Sequence, residues 1–250
     1  MTRGWCLAVM LTITQDPKPP EPYPEELVER FEDAARERSG EATLLLKQLD
    51  ARYEALAEED RKKLLRVLET RLIRTREKDT LDLPLAILKV FERVGPLGAE
   101  ETIRALRHQS VAERPDLLAE TILSLARHHD PKHPRLLFEY LVHQEKSVFF
   151  AAIDALGEYD KVEEKHRKVI VEQLLRSYSS TISSSLPPPP GSRRTPGKPD
   201  PFKTGDKDRA REAEAHFDSA LARLTGETNI HGVTNWEKWY REARRKRWDQ

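Results

Sequence analysis

Apolar residues recur at helical spacing in segment after segment of this chain. Between Glu25 and Tyr178 there is neither a sustained strict alternation nor an Asn-Gly or Gly-Gly hairpin signal. Leu27, Phe31, Ala34 and Ala35 form a first stripe; Leu45, Leu49, Tyr53 and Leu56 a second; Leu64, Leu65, Leu68 and Leu72 a third. Each stripe covers one face of a helix whose other faces are charged, so the expected fold class is all-α.

After Asp79 the segments shorten and come to resemble one another. Leu85 to Gly95, Ala119 to His129 and Ala151 to Tyr159 align with Phe91, Leu125 and Leu156 in one column, spaced 34 and 31 residues apart. A second helix is expected after each, over Ala99 to Gln109, Pro134 to Gln144 and Glu164 to Tyr178. That spacing leaves room for two short helices and two tight turns, so the repeating unit is a helical hairpin. The punctuation agrees: Pro84, Pro115 and Pro134 fall where first turns tolerate proline, and Gly95-Pro96 and Asp130-Pro131 mark breaks.

Ser147 to Gly157, SVFFAAIDALG, resembles the second helix of a HEAT repeat, with a Val, paired small residues, an aliphatic and a closing Ala-Leu-Gly. Phe149 stands where a basic residue is common in that family, and the other two units match only in their apolar columns. Armadillo-like or tetratricopeptide-like arrays are the neighbouring alternatives, although the Trp, Gly and Tyr spacing of tetratricopeptide units is missing. The resemblance, covering about Thr80 to Tyr178, implies a right-handed α-solenoid of stacked antiparallel hairpins over residues 25–179. It further implies that the second column of helices lines a concave groove, which places Lys89, Arg93, Glu120, Arg127, Asp154 and Glu158 near a partner. Their mixed charges suit a protein or peptide better than a polyanion.

Residues 180–207 are rich in Pro, Ser and Gly without apolar periodicity, and are expected to form a disordered linker carrying Arg193 and Arg194. In the segment 208–250 the pattern returns. Ala213, Phe217, Ala220, Leu221 and Leu224 make a stripe ended by Thr225-Gly226, and Trp236, Trp239 and Tyr240 share one face of a helix expected over Asn235 to Gln250. The stretch from Arg223 resembles the ending of exported bacterial HEAT-like proteins, which implies a helix pair capping the array. The alternative is a polyanion site, in which Arg193, Arg194, Arg241, Arg244 and Arg245 meet phosphates and Trp236 and Trp239 stack on bases.

At the N-terminus, Arg3 followed by an apolar run to Ile13 reads as a signal peptide over residues 1–14 cut before Gln15, or else as an apolar cytoplasmic start. Export would make the mature protein periplasmic or secreted, without a membrane span. Residues 15–24 hold five prolines and are expected to be an extended spacer. Cys6 is the single cysteine, which excludes a disulfide framework.

Charged residues make up 34% of the chain, which fits helices with solvated outer faces. Lys plus Arg and Asp plus Glu both number 43, so net charge selects no class of partner. No Gly-rich phosphate loop, nucleophile elbow or HExxH is present, and the lyases and glycosylases built on HEAT-like folds find no matching residues here, so no enzyme and no cofactor are expected. His128, His129 and His133 around Asp130 are a candidate metal cluster, or equally histidines at a helix C-terminus. The adjacent carboxylates Glu58-Glu59, Glu100-Glu101 and Glu163-Glu164 are read as solvated faces or first-turn charges.

Overall fold

The computed structural model describes residues 19–37, 40–76, 79–185 and 207–248. The segments read as a signal peptide and most of the linker, Arg193 and Arg194 included, therefore lie outside the described residues. Every regular element described is helical. In chain order these are α1 (Glu25–Arg36), α2 (Glu41–Arg52), α3 (Glu58–Ile73), α4 (Asp82–Val94), α5 (Pro96–Leu106), α6 (Gln109–Ala112), α7 (Pro115–Ala126), α8 (Pro134–Leu137), α9 (Lys146–Gly157), α10 (Glu164–Ser185), α11 (Lys207–Thr225) and α12 (Val233–Ala243). The described part of the proline-rich spacer is non-helical, and the Glu21 N–H donates to the Ala55 carbonyl at 2.8 Å.

The expected stripes are the core. Phe31, Leu49, Leu65 and Leu72 are fully buried, and so are all three members of the repeat column, Phe91, Leu125 and Leu156. Burying one such side chain stabilises a fold by ~1.5–3 kcal/mol, and here the cover comes from the next helix of the set rather than from a separate layer. Helix α2 packs on α4, α4 on α7, α7 on α9 and α9 on α11; beside them α3 packs on α5 and α10 on α12.

Pro115 and Pro134 stand in first turns as expected, and Pro96, expected to mark a break before a helix from Ala99, itself opens α5. The α4–α5 turn is tight. Gly95 bridges the two helices at φ 70°, and a Cβ on Gly98 would lie 2.0 Å from the Phe91 carbonyl oxygen. At its other end α11 closes on Gly226, at φ 80°, whose N–H donates to the Ala222 carbonyl.

Three boundaries differ from the sequence reading. The helix expected over Pro134 to Gln144 is one α turn followed by a 3-10 stretch, Phe138–Val142, because the chain must cover α9 and still return within a short loop. Helix α10 continues through Ser185, although the linker was expected from residue 180. Thr181 extends its buried stripe, and Thr181 and Ser184 hydroxyls bond back to the carbonyls of Ser177 and Thr181. The last helix stops at Ala243, and the chain then turns so that Trp248 returns over α10.

A Gly98→Ala substitution should lower stability by about 1–3 kcal/mol through overpacking against Phe91. Gly40→Ala, whose Cβ meets nothing within 4 Å, should be neutral or gain up to about 1 kcal/mol. Urea denaturation of the two variants checks both, and equal midpoints would contradict the close approach of α4 and α5.

Candidate functional site

Four of the six residues expected on the partner face are engaged with a neighbouring helix. Arg93 of α4 reaches Asp50 of α2, with Nε 3.0 Å from Oδ1, and also Glu54 at 3.3 Å. Arg127, just past α7, reaches Glu92 of α4 at 2.8 Å. Between α9 and α11, Arg223 of α11 reaches Glu158 at 2.6 Å and the Asp154 carbonyl at 3.0 Å, while His216 Nδ1 lies 2.8 Å from the Asp154 carboxylate. In each case a basic group in or just past one helix bonds a carboxylate in or just past a helix packed against it. These side chains are between a fifth and a half exposed, so each pair is worth only about 0–1 kcal/mol and fixes register more than it stabilises. Lys89 and Glu120, by contrast, form no hydrogen bond or ion pair among the described residues; Lys89 is exposed and Glu120 half-buried.

The α7–α9 step is built differently. Here the histidine loop after α7 meets Tyr159, with the His129 ring edge-on at 6.4 Å and His129 itself in the left-handed region at φ 51°. His128 Nε2, His129 Nδ1 and the Tyr159 hydroxyl are buried without a hydrogen-bond partner among the described residues. Burial, helped by His133, holds the His128 imidazole down at about 4, and burial lowers His133 as well. Among the described residues no three of His, Cys, Asp and Glu converge on a metal position.

The tail folds back on α10 and α11. Trp236 is fully buried and its Nε1 donates to Asp218 of α11 at 2.9 Å; the same carboxylate accepts from the Tyr178 hydroxyl at 3.3 Å and from the Gly232 N–H. Trp239 is half-buried, with Nε1 on Glu227 at 3.2 Å. Arg241, Arg244 and Arg245 are exposed. Trp236 is thus a packing residue, closed to base stacking, while the arginines stay at the surface.

One acidic residue was misread. Glu58, Glu59, Glu100 and Glu163 are exposed as expected, but Glu101 is buried, facing Glu69 of α3 and paired with Arg104. Burial and the second carboxylate raise it to about 7. Its neighbour Glu100 has the same chemistry, so only the position on the α5 face, one residue before the buried Thr102, distinguishes them. Against protein-family models, curated proteins and solved structures, no match to this chain is found.

These two buried groups act on stability in opposite directions. His128 has its folded pKa depressed below the ordinary 6.5, so its contribution is complete above that pH and is lost as pH falls toward about 4. Glu101 has its folded pKa raised above 4.5, so its contribution is complete below that value and is lost as pH rises through about 7. Urea midpoints between pH 4 and pH 8 should therefore show His128→Asn flattening the acid limb and Glu101→Gln gaining stability at pH 8. A Glu101→Gln gain that persists unchanged at pH 4 would contradict the buried-carboxyl account.

Proposed function

We propose that this protein is a non-enzymatic scaffold, a HEAT-like right-handed α-solenoid that presents the face carrying Lys89 and Glu120 to a protein partner outside the cytoplasm. The observation that carries this reading is the succession of α2, α4, α7, α9 and α11, each packed on the next, with basic-to-acidic pairs repeated along one edge. A succession of that kind generates a continuous surface several helices wide, the size a protein partner needs. Lys89 and Glu120 form no hydrogen bond or ion pair among the described residues. The apolar run before Gln15 supports the location, and no described helix is long and apolar enough to cross a membrane.

A second reading is favoured by one observation, the exposure of Arg241, Arg244 and Arg245 at the end of the cap. There the ligand is nucleic acid or another polyanion, bound by phosphate contacts rather than by stacking on Trp236, and its affinity falls steeply with salt.

A photo-crosslinking side chain placed at position 89 or 120 in the native host should give a discrete protein adduct. The same group at Val169, exposed on α10, should not. Adducts at 169 alone, or nucleic acid co-purifying in a way that Arg244→Glu and Arg245→Glu abolish, would replace the first reading with another surface or with the second reading.

A further inference from the structure

The outward side of α4, exposed or half-buried, carries Asp82, Ala86, Lys89 and Arg93; that of α7 and the residue after it carries Asp116, Glu120, Leu123 and Arg127. An acid and an arginine eleven residues apart are about three turns apart and share one face of a helix. Each acid stands in a first turn and each arginine at the helix end, where they favour the dipole of their own helix. Parallel packing turns that local preference into two edges of opposite sign. Helices α2 and α4 run the same way, because their first turns border one cavity and their ends are joined by Arg93 and Asp50. The Arg127–Glu92 pair joins the ends of α7 and α4 likewise. The acids therefore stand along one side of this face and the arginines along the other.

Asp82, Lys89 and Glu120 form no hydrogen bond or ion pair among the described residues, although Glu120 is half-buried. Arg93, Arg127 and Asp116 are bonded within the chain, to Asp50 and Glu54, to Glu92 and to Arg114, and still leave between 39% and 51% of their side-chain surface open. A face polarised in this way is its own complement. A two-fold axis lying in the face and running across the helices, between the Lys89 and Ala86 positions, lays α4 antiparallel on α4 of a second copy and α7 on α7. Asp82 then meets Arg93, Asp116 meets Arg127, and Lys89 crosses to Glu120, each contact occurring twice. On α2 the same relation sets Leu44, 59% exposed, against the aliphatic stem of the second copy's Lys47. An axis along the helices would instead oppose Asp82 to Asp116 and Arg93 to Arg127, and like charges disfavour it.

The area suffices for a reversible dimer. Five helices in succession, packed at about 8–10 Å, and a length of about 18 Å for twelve residues give roughly 600–700 Å² per copy, slightly below the ~800 Å² per partner of a standard interface. We propose that this face pairs with the same face of a second copy of the chain, antiparallel helix on helix, through Lys89–Glu120, Asp82–Arg93 and Asp116–Arg127 contacts. The pairing rests on the reading of the Lys89–Glu120 face as the one that meets a protein, and it specifies that protein.

Sedimentation equilibrium of the full chain at low salt, from about 1 to 300 μM, should show a monomer–dimer equilibrium with Kd in the range of about 1–100 μM. Lys89→Glu and Glu120→Lys, each checked for unchanged helical circular dichroism, should each weaken it about tenfold or more, since both two-fold-related contacts become like-charged. An equimolar mixture of the two single variants should dimerise again to within about threefold of the original Kd, because the mixed pair recovers opposite charges at both contacts. Monomer alone at every concentration, a dimer indifferent to both substitutions, or a mixture no tighter than its components would overturn the pairing. A monomer that still gives a crosslinked adduct with a different protein from position 89 overturns the pairing and leaves the partner face standing, whereas a monomer without any adduct overturns both.

Discussion

The structure depends on dry contact between packed neighbouring helices. At the C-terminal end this contact is aromatic. The Phe217 ring of α11 stacks on Tyr178 of α10 at 4.6 Å and meets Phe149 of α9 edge-on at 6.0 Å, so that one side chain seals two helices at once. Gly157 allows it, since a Cβ there would lie 3.0 Å from the Ala220 Cα and 2.6 Å from the Arg223 guanidinium. The Ala-Leu-Gly ending of α9 is thus a packing device: glycine lets α11 approach, and the approach sets Arg223 against Glu158. Removing apolar cover of this kind costs about 2–5 kcal/mol per large side chain, several times what any of the edge ion pairs is worth.

Electrostatics therefore works on top of packing. The pairs Arg93–Asp50, Arg127–Glu92 and Arg223–Glu158 each require a particular axial register between two helices, and a half-turn slip would separate them. The one step without such a pair, α7 to α9, instead holds the histidine loop and Tyr159, whose buried polar atoms lack partners. That junction is the least satisfied of the series, and its histidines make it sensitive to acid.

What the sequence made legible was everything governed by periodicity. The first stripe is buried at Phe31 and Ala34 and half-buried at Leu27 and Ala35, while the second and third stripes, the column Phe91, Leu125 and Leu156, and the α11 stripe are all buried where the spacing put them. Trp236 was legible as a cap residue because tryptophan on an amphipathic face needs cover, and Asp218 supplies its acceptor. Features decided by distant chain were not legible. Glu101 looks like Glu100 until α3 is laid against α5, and Arg71 looks like any helix arginine until α1 closes over it. Arg93 and Glu158 are engaged by Asp50 and Arg223, pairings that sequence does not reveal because it does not show which residue of the neighbouring helix stands opposite.

The most direct measurement is native-state hydrogen exchange of the full chain against a chain lacking residues 207–250. With α11 and α12 gone, Phe149, Leu174 and Tyr178 lose their cover, so amides of α9 and α10 should lose most of their protection while α2 to α4 change little. Unchanged protection in α9 and α10 would contradict the account, because those helices would then be stable without a neighbour to keep them dry. A uniform loss across α2 to α10 would contradict it equally, as the mark of one undivided globule rather than of helices stabilised by their nearest neighbours.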